Sequence, residues 1–483
     1  MSDLTAILDR QRLALRRNGP PPAELRIDRI GRLIETIGRH ADELTEALAT
    51  DYGQRNTVQS FATDISVPLS ALRHSQKRAR RWMRDRPNAA GRMMRLGGVR
   101  ARIAYQPLGV VGILSPWNFP VPLSIHPVGQ AFAAGNVAML KVSEVSPSTS
   151  GVLARLLNDA FDPTELAVIE GGPEVAAEFS SLPFDHLFFT GSEATARRVM
   201  QAASANLVPV TLELGGRCPV VVDDRYPLDR VAGSLFLGKT MNAGQICAAP
   251  NHVFVPVGRE EQLLQALRVV ARRDHPDGIG ADATQIIDDR HHRRLLGHLE
   301  DAERKGARVI ALAEVTSPAP NRLIPPTVLL GVDSSMSVCD EELFGPLLPI
   351  HTYRTIDEVI EAINDQPPAL AAYYFGRDTP GRRRFLERTT SGGVTINDIG
   401  LHAGIEGLPF GGVGASGMGA YHGRAGFERF SHAKPIVEGP SRPFTRFVHP
   451  PYPASTLRVL RWHASSTVSR ARRNAARGTT PHP

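Results

Sequence analysis

The spacing of hydrophobic residues near the start of the chain predicts a helix followed by strands. From Ile30 to Leu48 apolar residues recur every three or four positions, which is typical of one helix with a single buried stripe, and Gly53 ends it. Between residues 100 and 114 the pattern changes to residues that favour strands, around the turn sequence QPLG. The chain therefore begins with helical segments and continues into a sheet.

The next stretch alternates short apolar runs with helical segments. Strands are predicted at 137–142, 167–169, 187–189 and 208–212, and helices at 175–179, at 194–203 and from Pro147, with Ser146 as N-cap. After Gly216 the alternation resumes with strands at 220–222 and 253–255 and helices at 228–241, 260–272 and 288–304. Strands that alternate with helices predict parallel sheets covered by helices, in two successive α/β units.

Length and cysteine usage bound the class of protein. A chain of 483 residues exceeds the size of a single hydrophobic core, so more than one domain is expected. Three cysteines without C-x-x-C spacing argue against a disulfide framework and a four-ligand zinc site, so no metal site and a reducing, cytoplasmic setting are predicted. Neither a secretion signal nor an apolar stretch of about 18 residues is present, so no membrane span is expected.

The net charge of +7 is concentrated at the C-terminus. Segment 441–483 contains eight arginines and no acidic residue, so the rest of the chain is close to neutral. This distribution argues against a basic nucleic-acid-binding face on the folded body. The segment is rich in Pro, Ser and Thr, and we interpret it as a flexible, solvated tail. Alternatively Leu457, Leu460 and Trp462, interleaved with arginines, bind an anionic membrane surface or a partner subunit.

Cys247 is the candidate nucleophile among the cysteines. Small residues surround it in the sequence MNAGQICAA, which leaves room for a substrate, and a helical run leads into it. Cys218 stands at the start of an apolar run, and Cys339 precedes three acidic residues that would raise the pKa of its thiol. We therefore interpret Cys218 and Cys339 as structural. Glu213, upstream in the sequence ELGG, is a candidate carboxylate base.

Six ordered motifs resemble those of aldehyde dehydrogenases. They are PWNFP at 116–120, KVSE at 141–144, FTGS at 189–192, ELGG at 213–216, GQIC at 244–247 and EELFGP at 341–346. Further on, NDI at 397–399, LPFGGVG at 408–414 and SGMGAYHG at 416–423 are similar to the class 3 branch, which includes bacterial coniferyl aldehyde dehydrogenases. The resemblance covers residues from about 25 to 437.

The resemblance implies an α/β fold in which successive segments of the chain form domains with different functions. It places N-terminal helices and a Rossmann-like, parallel-sheet NAD-binding domain in residues 1–212 and an α/β catalytic domain in 213–396. Residues 397–440 would close the active site and supply a small β oligomerisation element, and 441–483 would form the basic tail. The resemblance also implies that the chain forms a homodimer.

The resemblance also implies the catalytic and cofactor-binding residues. Cys247 would attack the aldehyde, the Asn118 amide and the Cys247 backbone N–H would hold the oxyanion, and Glu213 would be the general base. The matched cofactor-binding residues are Pro116, Trp117, Lys141, Glu144, Gly191, Ser192, Leu214, Glu342 and Phe344. Glu144 disfavours a 2′-phosphate, so NAD is expected, with NADP open. Glu193 and Ala196 depart from the family pattern near the phosphates and predict a modest loss of dinucleotide affinity.

The expected function is oxidation of an aldehyde to its acid with reduction of NAD, through a thioester. The substrate would be an aromatic aldehyde of the coniferyl type or a medium-chain aliphatic one, and His402 resembles a class 3 residue on the substrate side. Two other functions fit the residues taken singly. One is a cysteine-dependent hydrolase without redox chemistry, and the other is a non-catalytic binding protein anchored by the arginine-rich tail.

Overall fold

The computed structural model describes residues 3–87, 91–280, 282–316, 321–441 and 449–478. Contacts between Cα atoms divide the chain into two compact units. The first comprises Met1–Met83 and Gln106–His432, and the second comprises Arg84–Tyr105 and Ala433–Pro483. The second unit draws on two distant parts of the sequence. The finer boundaries at residues 212, 396 and 440 remain a prediction.

The strands form three sheets. In chain order they are β1 Arg86–Pro87, β2 Arg100–Pro107, β3 Val110–Leu114, β4 Val137–Lys141, β5 Leu166–Ile169, β6 His186–Thr190, β7 Val210–Glu213, β8 Pro219–Val222, β9 His252–Pro256, β10 Arg308–Ala311, β11 Thr327–Leu330, β12 Leu347–Tyr353, β13 Ala369–Phe375, β14 Ser391–Ile396, β15 Gly417–Met418 and β16 Ser431–Glu438. The sheet orders are β15-β7-β6-β3-β4-β5, β10-β11-β12-β9-β8-β13-β14 and β1-β2-β16.

Helices connect and cover these strands. They are α1 Asp3–Asn18, α2 Ala23–Arg39, α3 Ala41–Tyr52, α4 Thr57–Ser60, α5 Val67–Trp82, α6 Arg92–Leu96, α7 Pro122–Ala134, α8 Pro147–Ala160, α9 Pro173–Ser180, α10 Glu193–Ser204, α11 Leu228–Thr240, α12 Glu260–Asp274, α13 Asp289–Arg304, α14 Ile356–Asn364, α15 Pro380–Arg388, α16 Leu401–Gly404, α17 Gly423–Arg429 and α18 Ala454–Gly478. A π-helix spans Phe61–Ser66, and short 3-10 turns occur at Met241–Gly244, Ser337–Cys339 and Gly414–Ser416.

The six-stranded sheet confirms the predicted Rossmann-like arrangement. Its strands β7, β6, β3, β4 and β5 are parallel neighbours, and β15 adds one antiparallel edge. Strands β3, β4 and β6 are buried along their whole length, because helices cover both faces of a parallel sheet. The carboxyl ends of these strands meet at one edge, where ligands bind in open α/β sheets.

The seven-stranded sheet forms the second α/β unit that the sequence predicts. Strands β11, β12, β9, β8, β13 and β14 are parallel neighbours, and β10 is antiparallel at one edge. Helix α11 follows β8 and ends at Thr240, immediately before the loop that carries Cys247. The segment between β7 and β8 joins the two sheets, so that Glu213 ends the first sheet close in sequence to the start of the second.

Two local predictions are wrong. The single helix predicted from Ile30 to Leu48 is two helices, α2 and α3, because His40 adopts a non-helical conformation with φ −113° and ψ 25°. Ser146 precedes α8 as predicted but makes no capping hydrogen bond. The Asp51 carboxylate caps α8 instead, accepting from the backbone N–H groups of Ser148 and Thr149 at 2.8 Å each. A cap from a distant helix leaves no local signal in the sequence.

The basic tail is also more regular than predicted. Residues Ala454–Gly478 form helix α18, whereas 442–448 and 479–483 lie outside the described residues. The side chains of Leu457, Leu460 and Val468 are between 52% and 53% exposed, so this helix presents apolar groups to solvent. None of the helices within the described ranges has the length and hydropathy needed to cross a membrane.

Candidate active site

One cleft brings together most of the predicted site residues. It has a volume of about 630 Å³ and is lined by Pro116, Trp117, Asn118, Gly191, Ser192, Glu213, Leu214, Cys247, Glu342 and Phe344, among others. These residues come from the ends of β3, β6 and β7 and from the loops after α11 and before β12. The sequence motifs are far apart in the chain, and the sheet topology makes them neighbours in space.

The loop that carries Cys247 has an unusual backbone. Asn242 and Ala243 have φ angles of 48° and 52°, in the left-handed region that few residues other than glycine adopt. At Gly244, with φ 69°, an added Cβ would lie 2.5 Å from the carbonyl oxygen of Gly345. A side chain there would displace the loop, which explains the glycine three residues before Cys247. The backbone conformation of residues 242–244 therefore sets the position of Cys247 in the cleft.

Cys247 is half-buried and lines the cleft, whereas Cys218 is buried. Burial raises the pKa of the Cys247 thiol above its ordinary value, and the nearby carboxylates of Glu342 and Glu213 act in the same direction. The buried side chain of Lys239, eight residues before Cys247, donates to the Gly345 carbonyl at 3.2 Å. The thiol therefore needs a base to remove its proton when it reacts.

Asn118 is held at the cleft by backbone and side-chain contacts. Its carbonyl accepts from the Tyr52 hydroxyl and from the Asn242 amide, both at 2.9 Å. Its own side-chain amide donates to the Gln245 carbonyl at 3.2 Å, two residues before Cys247. The residue is 4% exposed, so its amide is fixed rather than solvated. The Asn118 amide therefore lies beside the nucleophile loop, as an oxyanion donor requires.

Glu213 is a buried carboxyl group without a hydrogen-bond partner. It ends β7, is 2% exposed, and neither of its side-chain oxygens has a partner among the described residues. Burial raises its pKa well above the ordinary value, opposed in part by the positive charge of Arg429. A carboxyl group in this state accepts a proton readily, because its charged form is poorly stabilised. This property suits a general base.

Glu342 is a second acid of the cleft, half-buried, and its carboxylate lies against the backbone of Gly215. Burial raises its pKa to about 8, although a backbone hydrogen bond from Gly216 acts the other way. An added Cβ at Gly215 would overlap the Glu342 carboxylate, so the absence of a side chain at 215 makes room for this acid. Arg294 holds the segment by donating to the carbonyl of Leu343 at 2.6 Å.

The aromatic and polar groups around the cleft can hold a flat ring and phosphates. Trp117 meets Phe344 edge to face, with ring centroids 5.4 Å apart. Ser192 is the N-cap of α10, whose first-turn N–H groups and dipole favour an anion. Glu193 lines the cleft, but its charge is paired with Arg197 at 2.5 Å. The cleft therefore fits a dinucleotide, with a cation offsetting the unfavourable carboxylate.

Four residues that the sequence connects with the cofactor or the substrate do not line the cleft. Ala196 is 2% exposed within the hydrophobic core, so its methyl group packs against apolar neighbours. Lys141 and Glu144 form an ion pair with 2.5 Å between Nζ and Oε2 at the end of β4. His402 is buried, with Nδ1 2.8 Å from the Thr395 hydroxyl. The lining of this cleft includes none of these four residues.

Several lining residues gave no usable signal in the sequence. Arg197, Arg217, His291 and Arg294 contribute polar or charged groups to the cleft. His291 contacts Trp117 edge to face, with ring centroids 5.1 Å apart. Each lies on a polar helix face or in a loop, where single charged residues are usually solvated. Only the fold shows that they face the cleft.

We expect Asn118→Ala to lower the rate of hydride transfer by about 10²–10³-fold, which corresponds to a barrier higher by about 2.7–4 kcal/mol. The substitution removes the amide donor and leaves the backbone carbonyl that Tyr52 and Asn242 contact. Single-turnover measurement of NADH formation checks this expectation. Asn158→Ala, which removes a side-chain amide that contacts Val168, is the matched control. An unchanged rate in Asn118→Ala would exclude the amide as an oxyanion donor.

Comparison with known proteins gives a consistent assignment. The family model described as "Aldehyde dehydrogenase family" matches residues 3–436. The chain is 45% identical over 446 residues to a coniferyl aldehyde dehydrogenase of a Pseudomonas species, covering 90% of each chain. It is 43% identical over 437 residues to a probable coniferyl aldehyde dehydrogenase of Caulobacter vibrioides, covering 89% of this chain and 90% of the relative. A mouse relative named "Aldehyde dehydrogenase, dimeric NADP-preferring" is 36% identical over 90% of this chain and 94% of its own.

Solved structures agree with these sequence relatives. The substrate-bound state of Staphylococcus aureus AldH superposes with a TM-score of 0.90 and 33% identity, covering 96% of this chain and all of that one. A Mycobacterium tuberculosis aldehyde dehydrogenase complexed with NAD+ gives a TM-score of 0.78 at 26% identity, with 90% and 89% of the two chains covered. The similarity thus extends over both the fold and the cleft-bearing segments.

Proposed function

We propose that this chain, which belongs to the aldehyde dehydrogenase family, oxidises aromatic aldehydes of the coniferyl type through a thioester on Cys247. NAD(P)-dependent oxidation of an aldehyde to its acid is the activity of the chain. The residue roles and the substrate are our proposal. The observation that carries them is the shared cleft of Cys247, Asn118 and Glu213.

The first half-reaction begins at the Cys247 thiol. An aldehyde releases hydride readily only after a nucleophile has added to its carbon and the oxygen has become an oxyanion. Glu213 accepts the thiol proton, the sulfur adds to the carbonyl carbon, and the Asn118 amide donates to the oxyanion. The chemistry that a bound nicotinamide supplies here is acceptance of one hydride. The product on the protein is a thioester of Cys247.

The second half-reaction is hydrolysis of the thioester. Glu213, which has no partner among the described side chains, is free to remove a proton from a water molecule that attacks the acyl carbon. The acid leaves, and the Cys247 thiol forms again. A buried carboxyl with a raised pKa can serve both half-reactions because it takes up and releases one proton in each cycle.

The residues of the cleft fit a dinucleotide. Glu342, which Gly215 makes room for, would bind ribose hydroxyls, and the Trp117 and Phe344 rings would flank the nicotinamide. The start of α10 at Ser192 would hold the phosphates. A hydrolase without redox chemistry would have no use for this set of groups, so that alternative is not favoured. The binding-protein alternative leaves the buried Glu213 without a purpose.

Two comparisons of kcat/KM test the substrate and cofactor proposals. With NAD, we expect coniferyl aldehyde and benzaldehydes to exceed medium-chain aliphatic aldehydes, since the related proteins are named for coniferyl aldehyde. With one aldehyde, we expect kcat/KM to be about tenfold higher with NAD than with NADP, because Glu144 repels a 2′-phosphate. Its partner Lys141 attracts the same phosphate and keeps this preference modest. Faster turnover of aliphatic aldehydes would overturn the substrate class, and preference for NADP would overturn the role of Glu144.

We propose a homodimer and a reducing, cytoplasmic setting for the chain. β16 is an edge strand of the three-stranded sheet, and unpaired edge groups are available to a second copy. The mouse relative is named dimeric. The three cysteines are free thiols, which suits a reducing compartment. Light scattering after size-exclusion chromatography, which gives the mass of the particle, tests the dimer.

We further propose that helix α18 binds weakly to an anionic membrane surface. Leu457, Leu460, Ala464, Val468 and Ala471 recur at helical spacing and form an apolar stripe. Arginines flank this stripe, and no acidic residue follows Glu438. An exposed apolar stripe with only positive charge is complementary to an anionic lipid interface.

Vesicle binding by the full-length protein tests this proposal. We expect cosedimentation with phosphatidylcholine vesicles only when phosphatidylserine is included. Arg458→Gln with Arg461→Gln should weaken binding by about 2 kcal/mol, or about 30-fold. The matched control, Arg16→Gln with Arg17→Gln, removes two exposed charges from α1 and should have no effect. Equal binding by both double variants would overturn the proposal.

A further inference from the structure

A buried group of histidine and glutamate side chains lies outside the catalytic cleft. His126 is on α7, Glu406 follows α16, and His422 precedes α17, so three separate segments meet here. One ligand atom from each residue lies within 4.8 Å of the others. Both histidines are 6% exposed, and the Glu406 side chain is 13% exposed. The group is therefore largely shielded from water.

Part of the hydrogen-bonding capacity of this group is not used within the described part of the chain. Glu406 Oε2 is 3.3 Å from His126 Nε2, but it makes no hydrogen bond, and His422 Nδ1 has no partner either. A buried carboxylate and a buried imidazole nitrogen without partners are costly. Gln130 places its amide nitrogen 3.3 Å from His126 Nε2, which leaves the Glu406 and His422 atoms unsatisfied.

We infer that His126, Glu406 and His422 form a binding site for a divalent transition-metal ion of the Zn²⁺ class. Two imidazoles and one carboxylate are a donor set that Zn²⁺ accepts, with a water completing the coordination. Nδ1 of His422, which has no partner among the described residues, can offer the lone pair that metal binding requires.

The surroundings are compatible with entry and retention of a cation. Glu406 lies between the exposed Ile405 and Gly407, which gives the ion a path from solvent. His126 and His422 stack with ring centroids 4.3 Å apart, and Phe410 also stacks on His422, with centroids 5.1 Å apart. His74 and Arg78 are the additional basic groups of this neighbourhood on α5. A bound ion would neutralise Glu406 and tie three segments together.

This site was missed in the sequence because its ligands are far apart in the chain. The prediction of no metal site relied on cysteine count and spacing, which say nothing about histidines separated by nearly 300 residues. The site does not use Cys247 or the other two cysteines. It is also independent of the proposed catalytic roles, because metal binding can be measured without turnover.

Competition between the protein and a chromophoric chelator for Zn²⁺ tests the inference. The experiment uses tag-free, full-length protein carrying Cys247→Ala, which removes the thiol in the cleft. We expect one Zn²⁺ per chain at this site, and Co²⁺ should give ligand-field absorption. Glu406→Gln and His422→Gln should each weaken Zn²⁺ binding about tenfold or more, since loss of even an outer-shell partner costs that much. His292→Gln, a histidine elsewhere on α13, is the matched control.

Thermal unfolding separates loss of the site from loss of the fold. We expect Zn²⁺ to raise the unfolding midpoint of the parent and of His292→Gln, but not of Glu406→Gln. Without metal, the nearly isosteric Glu406→Gln should unfold at the parent temperature, and it decides the matter if His422→Gln does not fold. The inference is overturned if the parent binds no Zn²⁺, if all variants bind it equally, or if Mg²⁺ binds in its place.

Discussion

Cys247→Ala is expected to lower NADH formation by about 10⁴-fold or more while leaving dinucleotide binding intact. Without a nucleophile the aldehyde carbon stays trigonal, and hydride does not depart from it. The side chain is small and lines the cleft, so its removal leaves the backbone of the loop in place. Steady-state NADH absorbance measures the activity, and quenching of tryptophan fluorescence by NAD measures binding.

Cys218→Ala is the matched control for this prediction. Cys218 is buried, and its thiol donates to the carbonyl oxygen of Cys247 at 3.4 Å. We expect this variant to keep most of the activity, because its role is packing. If Cys247→Ala retained activity or Cys218→Ala lost it, the assignment of the nucleophile would be wrong.

Glu213→Gln is expected to separate the two half-reactions. We expect a burst of about one NADH per active site that is slower than in the wild type, because the thiol proton must then pass to solvent. The steady state that follows should be slower still, by about 10²–10⁴-fold, since the amide cannot activate water. The substitution is nearly isosteric in a site where both carboxyl oxygens lack partners within the described ranges, so the fold should tolerate it. Rapid-mixing absorbance resolves the burst. Full-speed turnover in the variant would remove Glu213 from the mechanism.

The pH dependence of kcat gives an independent check on Glu213. Burial raises its pKa well above that of an ordinary carboxyl group, so the active, deprotonated form gains population only as pH rises through this raised pKa. Wild-type kcat should therefore still increase above the usual carboxyl range and then reach a plateau. The profile of Glu213→Gln should have no inflection at that position. Coincident profiles would contradict the assignment.

Much of the fold follows from the sequence pattern. Strands such as β3, β4 and β8 are short apolar runs because both faces are buried, and this signal is strong wherever a parallel sheet is covered by helices. Predictions of where a helix ends and which residue caps it were less reliable. The break at His40 leaves no mark in the apolar pattern, and the Asp51 cap of α8 comes from another helix, which no local window contains.

Some residues of the candidate site could be predicted from the sequence, and others could not. The motifs around Asn118, Glu213 and Cys247 could be found because they resemble those of a known family, and the fold needs the glycines beside Glu213 and Cys247 for close approach. Arg294 and His291 could not be found, since a polar residue on a helix has no mark that distinguishes a cleft from solvent. Ala196 carries a signal in the sequence that the structure does not place at the site. The residue departs from the family pattern, but its methyl group packs in the hydrophobic core.

The central claim is that the aldehyde becomes an acyl group on Cys247. Its most direct test is the mass of Glu213→Gln protein mixed with NAD and an aromatic aldehyde and quenched in acid after the burst. We predict a mass increase equal to one acyl group, located by fragmentation on Cys247 and absent from Cys247→Ala. NADH formation without an adduct on that peptide, or with the adduct on another residue, would contradict the account.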